Sequence, residues 1–123
     1  MHLPPIKIGN HELENNVVLA PLSGISDLPF RLICKNLGAG LVVSEMVACE
    51  ALIRDNVIAK QKADFDPGQG LVSVQIVGAN PANMAAAAKM NQDAGAQVIA
   101  EKNMQGRRVK VKNASPAKIK KIK

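Results

Sequence analysis

The feature that most limits what this chain can fold into is its alternation of short apolar runs with helix-length segments. LVVS at Leu41–Ser44 and LVSVQIV at Leu71–Val77 are almost wholly apolar, as strands are when a parallel sheet is covered on both faces. A run starting at Gln97–Ile99 is a further such strand. Ser26-Asp27 precedes LPFRLICKNL and Gly38 follows it, so Ser26 reads as the N-cap of a helix. Met46–Arg54 reads as a second helix. Asn80 as cap, Pro81 in the first turn and Gly95 past the end frame a third, NMAAAAKMNQDA. Ile6–Ile8 and Val17–Ala20 read as strands on either side of a polar turn at Gly9-Asn10, an N-terminal hairpin before the repeating units. Strand and helix recur at ~25–35-residue intervals, which argues for parallel βαβ units. The fold class expected is α/β, with about the first four β/α units of a TIM (β/α)8 barrel behind the hairpin. A whole barrel needs eight units and typically ~250 residues.

Charge divides the chain at about residue 100. Residues 1–100 hold seven Lys and Arg against nine Asp and Glu, whereas residues 101–123 hold nine against one. The net charge of +6 therefore belongs to a short tail. The organisation expected is a half-barrel over 1–100 and a basic, disordered tail over 101–123. Such a tail is either a solvated run or a contact for RNA phosphates or anionic lipid. Surfaces that grip single-stranded bases usually offer aromatic rings. With two Phe and no Trp or Tyr, this chain has almost none to offer.

Cys34 and Cys49 lack a CxxC spacing or a neighbouring His, so neither reads as a metal ligand. Both fall in expected helices and read as small core residues in a reducing compartment. The N-terminus has no apolar run of signal-peptide length, and no stretch reaches the ~20 residues of a membrane span. Cytoplasm and no membrane partner are the expectation.

Three places could carry chemistry. Ala20-Pro21-Leu22-Ser23-Gly24 follows a strand directly, at the end of a barrel where active sites are built. It is also what an ordinary strand-to-helix turn looks like. Gln75 is a lone amide inside an apolar strand. Buried without partners it would cost ~1–3 kcal/mol, so either a backbone group or the edge of a heteroaromatic ligand must satisfy it. Glu45, in Ser44-Glu45-Met46, sits just past an expected strand, either to position a substrate or to complement a helix N-terminus.

At these residues the chain resembles a known family. The run IKIGNHELENNVVLAPLSGISDLPFRLICKNLGAGLVVSEMV is similar to the opening of bacterial tRNA-dihydrouridine synthases, with its paired APxxGxxDxPFR and SEM segments. VSVQIVGANPANMAAAAKMNQDAGAQVI resembles a later stretch of the same family. The likeness covers roughly residues 5–99. It implies an FMN-binding barrel that reduces the C5–C6 double bond of uridines in tRNA, with NADPH reloading the flavin. By the same resemblance Pro21, Leu22 and Ser23 line the FMN, and Gln75 bonds the edge of its ring. Leu22 stands where Met is commoner in the family, and Ser23 where Ala is.

Beyond residue 99 the pattern departs. The family's fourth strand runs into a motif whose Cys protonates the uracil ring. Here that position falls on Gly106, or on Arg107, and in a second alignment on Ser115, none of which transfers a proton readily near neutral pH. Asn103-Met104 is all that survives of the motif. The expectation is a truncated or frameshifted member, inactive alone, that associates with itself through open sheet edges. The competing expectation is a non-catalytic RNA-binding fragment that acts through the tail.

Overall fold

The computed structural model describes residues 4–104. β1 (Ile6–Ile8) and β2 (His11–Leu13) form an antiparallel hairpin with Ile6 opposite Leu13 and Ile8 opposite His11. The partner of Ile6–Ile8 is thus HEL, not the Val17–Ala20 run that the sequence suggests. Gly9-Asn10 closes the turn in two residues, and this brings Leu13 under the main sheet, where it is buried.

That sheet contains β3 (Val18–Leu19), β4 (Leu41–Ala48), β5 (Ser73–Gly78) and β6 (Val98–Asn103). The strands are parallel and lie side by side in chain order. Between them run α1 (Leu28–Asn36), then α2 (Cys49–Ile53), α3 (Val57–Ala63) and a 3₁₀ turn at Pro67–Gln69, then α4 (Pro81–Ala94). Among the described residues the sheet does not close: β3 and β6 are both edges. β6 runs on to Asn103, through the compositional break near residue 100.

Helices cover the outer face of the sheet and the hairpin covers the inner face at the N-terminal end of the strands, which is why the strands read as continuous apolar runs. On the outer face, Val74 and Ile76 of β5 and Ile99 of β6 pack against Cys49, Leu52, Met84, Ala87 and Ala88 of the helices. On the inner face, Leu41, Val43 and Ala100 pack against Leu13, with Ile6 and Ile8 beside it. The hairpin therefore seals the inner face at the N-terminal end of the strands.

Local signals explain most boundaries, with three corrections. Asn80 caps α4 by accepting from the N–H groups of Ala82 (2.9 Å) and Asn83 (3.3 Å), and Gly95 ends it at φ 119°. In α1, however, the cap is Asp27, whose Oδ1 accepts from the Phe30 N–H at 3.0 Å. Ser26 is fully buried and its hydroxyl serves the preceding loop instead. β4 extends to Ala48, so Met46–Ala48 belong to the strand and α2 begins only at Cys49. The third is α3, capped by Asn56, whose VIAKQKA lacks a long enough apolar stripe to be read from sequence.

Candidate functional site

The C-terminal ends of β3, β4 and β5 meet on one side of the sheet. The first element there is the loop Pro21–Asp27. Ser26 ties it to itself: its hydroxyl accepts from the Leu22 N–H at 2.8 Å and donates to the Leu22 carbonyl at 3.0 Å. That carbonyl also accepts from the N–H groups of Ile25 and Ser26. Gly24 takes φ 75°, a left-handed conformation that favours glycine. Its N–H donates to Glu45 Oε1 at 2.6 Å. Ser23 stands between these two anchored residues and is exposed to solvent.

Beneath the loop lies Arg31, 1 % exposed although it is the Arg of the PFR triplet. Its guanidinium donates to the carbonyls of Ser26 (2.8 Å) and Asp64 (2.5 Å), so α1 is stapled to its own leading loop and to the segment that follows α3. Burial pulls the Arg31 pKa below its ordinary value, and the charges of Glu45, Asp27 and Asp64 work in the opposite direction. Glu45 itself sits in β4 and not at a helix start, so helix-dipole complementation does not explain it. Its carboxylate faces the loop.

Gln75 lies on the inner face of β5, opposite Met46 on one side and Ala100 on the other. Its carboxamide makes no hydrogen bond to another described residue, and because Gln75 is only half-buried, solvent as well as a ligand can reach it. Two residues earlier on the same face, the buried Ser73 Oγ is also without a partner. Of the two, only half-buried Gln75 lies on the open part of the face, since Ser73 pairs with Val43 beneath the hairpin.

The expected site residues are brought only partly together. Ser23 lines an open cavity of about 280 Å³ with Met46, Ala48 and Val77 from the strand ends and Ile58 and Lys62 from α3. Met46 is the register partner of Gln75, which joins that cavity to the inner face. Leu22 lies on the other flank, in a groove of about 490 Å³ along the edge strand β3 with Cys34 and Leu37. Its backbone groups are already committed within the loop, which leaves its side chain for any ligand. Arg31 and Ser26 were not foreseen as site residues; the only sequence signal was their place in the SDLPFR run. In β6, alternation puts Lys102, opposite Val77, on the inner face, and Asn103, opposite Gly78, on the face of Ile99. The surviving Asn of the expected motif therefore points away from Gln75. Gly106, Arg107, Ser115 and residues 105–123 of the basic tail lie outside the described residues, whereas the first residues of the expected disordered tail, 101–103, are strand in β6.

No group of three or more His, Cys, Asp or Glu able to hold a metal occurs among the described residues. Nor is any described helix long and apolar enough to cross a membrane. Both cysteines are free, Cys49 being buried.

Comparison with known proteins adds a family. The model described as "Dihydrouridine synthase (Dus)" matches residues 18–103, from the start of β3 to the end of β6. The chain is 48% identical over 95 residues to a "Probable tRNA-dihydrouridine synthase" of Rickettsia bellii, and 50% identical over 97 residues to one of Rickettsia typhi. It is 40% identical over 94 residues to "tRNA-dihydrouridine synthase B" of Vibrio cholerae. In each case the match covers 76% of this chain and 29% of the relative, so the chain spans under a third of those proteins' length.

Proposed function

The chain belongs to the dihydrouridine synthase family, and from that premise we propose that residues 4–104 are the N-terminal part of a TIM barrel that holds FMN and reduces uridine to 5,6-dihydrouridine in tRNA. The observation that carries this reading is the cavity that Ser23 of the loop shares with Met46 and Val77 at the C-terminal side of the strands, with Gln75 paired to Met46 beside it. That is the side on which barrels of this kind build their sites. The chain-order arrangement of four parallel strands with an edge at either end supports the barrel.

Four residues would hold the flavin. Gln75 would bond the polar edge of the ring through its carboxamide, which can donate and accept at once. Ser23 would offer its N–H and hydroxyl, and Pro21 and Leu22 apolar contact. Bound there, FMN would supply the hydride for the C5–C6 bond of the uracil ring, with NADPH as the reductant that restores it, while the accompanying proton would have to come from the family's Cys position, which falls here on Gly106, Arg107 or Ser115. The protein's own part is to orient the ring and keep water from it. Apolar Met46 and Val77 flank Gln75 for that purpose.

A flavin titration of the full chain tests the reading through FMN fluorescence. We expect saturable quenching that Gln75→Leu weakens about tenfold, the value of one hydrogen bond of ~1 kcal/mol or slightly more. Equal affinity in the wild type and Gln75→Leu would remove Gln75 from the site. No binding by the wild-type chain would count against the flavin reading of these residues.

A further inference from the structure

β4 and β5 change register in mid-strand. Val43 pairs with Ser73 and Met46 with Gln75, so Ser44 and Glu45 together oppose Val74 alone. This is a bulge, a device that re-aims side chains and is frequent beside functional sites. Both bulged residues are buried, Ser44 at 2 % and Glu45 at 8 % exposure. The Ser44 hydroxyl accepts from the Gln75 N–H at 3.0 Å and donates to the Glu45 carbonyl at 2.9 Å. It thereby takes over a backbone donor that the bulge would leave without a ladder partner. The Glu45 carboxylate reaches across to the Gly24 N–H at 2.6 Å.

We propose that the Ser44-Glu45 bulge positions the ligand site: Ser44 sets Gln75, Glu45 latches the loop that carries Ser23, and the two halves are thereby held at a fixed separation. The inference rests on the flavin reading above and assigns a part of the machinery to residues that touch no ligand. A physical asymmetry supports it. Burying a carboxylate is costly and demands compensation, yet what Glu45 orders is an exposed loop. Leu22 is 42 % and Ile25 52 % exposed, so holding that loop still adds little packing. The return is a loop whose short, charge-assisted hydrogen bond keeps its shape before any ligand arrives. Arg31, bonded to the Ser26 carbonyl, fixes the loop's far end. Glu45 is thus a positioning residue, acting through Gly24.

The experiment compares full-length wild type with Glu45→Ala, Glu45→Gln, Ser44→Ala and, as an exposed acidic control, Glu50→Gln. Two quantities are read: hydrogen-exchange protection of the Gly24 and Gln75 amides, and affinity for FMN by fluorescence quenching. If the latched loop falls to about a tenth of the population, apparent affinity falls about tenfold. The expected result is loss of Gly24 protection and about tenfold weaker FMN binding in Glu45→Ala. Glu45→Gln, which keeps an acceptor oxygen, should be intermediate. Ser44→Ala should expose the Gln75 amide, and Glu50→Gln should match the wild type. Should Glu45→Ala not fold, the Gln variant carries the comparison. Unchanged Gly24 exchange in the Glu45 variants would overturn the latch. Lost protection with unchanged FMN affinity would overturn the positioning role. Lost protection in a chain whose wild type binds no FMN would support the latch and overturn the flavin reading instead, so the two failures are distinguishable.

Discussion

Replacing Arg31 by Met removes the charge that staples the loop, α1 and the segment after α3, while keeping a long unbranched side chain in place. The wild-type guanidinium makes two hydrogen bonds to backbone carbonyls, at 2.8 and 2.5 Å, in a place only 1 % exposed. Hydrogen bonds of charged groups contribute ~1.5–3 kcal/mol each, so the gross loss is about 3–6 kcal/mol. Two considerations reduce it. Burial already disfavours the charged guanidinium, and its Nε is buried without a partner, so the thioether regains some desolvation energy. A net destabilisation of about 2–4 kcal/mol remains, equivalent to roughly 10–25 °C in Tm for a domain of this size. Urea and thermal unfolding followed by circular dichroism measure it. Arg31→Lys, which keeps the charge but not the fork that spans two carbonyls, should lose less than Met and more than nothing. A loss below about 1 kcal/mol for Arg31→Met would refute the reasoning, because the staple would then be decorative.

Two further outcomes follow from the structure. Burial, with Glu101 and Glu50 adding to it, pushes the Cys49 thiol from 9.0 up to about 11. The folded chain keeps that proton where the unfolded chain has lost it. Stability should therefore be intact below pH 9 and fall towards pH 11, by about 2–3 kcal/mol at 1.36 kcal/mol per unit. Urea midpoints across that range, with Cys49→Ala flattening the slope, check the prediction. Gly95→Ala should cost about 1–2 kcal/mol in the same assay. Gly95 ends α4 at φ 119°, and a Cβ there would meet the Phe65 ring at 3.1 Å.

How far the sequence could be read depended on whether a signal was local. Asn80, Pro81 and Gly95 frame α4 from within its own ends, and the structure places them as cap, first turn and terminator. The apolar runs located β4, β5 and β6 because burial on two faces leaves a composition signal that needs no partner, whereas the exposed edge strand β3 read as half of the hairpin. Ser26 misled because a Ser before a helix has two local uses, and the choice was made by tertiary contacts. Arg31 bonds the Ser26 carbonyl, and the buried hydroxyl closes the loop, so the cap passes to Asp27. α3 escaped because Ala59 is its one buried residue, while Val57 and Ile58 are exposed.

The bulge was invisible for a stronger reason, and it marks where packing gives way to the site. A strict period of two along β4 puts Leu41, Val43 and Glu45 on one face and Val42, Ser44 and Met46 on the other. In the structure Val43 and Met46 both face inward, paired with Ser73 and Gln75, because two residues oppose one between them. No property of Ser44 or Glu45 alone announces that phase change. It requires a partner strand whose Gln75 N–H can be taken by a hydroxyl and a loop whose Gly24 N–H can be taken by a carboxylate. On the N-terminal side of the bulge the inner face is Leu41 and Val43, sealed by Leu13 of the hairpin. On the C-terminal side it is Met46, Gln75, Val77 and Lys102, which the hairpin does not cover. One irregularity thus separates the half of the face that holds the fold together from the half that the hairpin leaves open, where the ligand site is proposed. It does so with buried polar groups whose partners are the two candidate ligand elements themselves, so a change at Ser44 or Glu45 should be felt at the site before it is felt in the core.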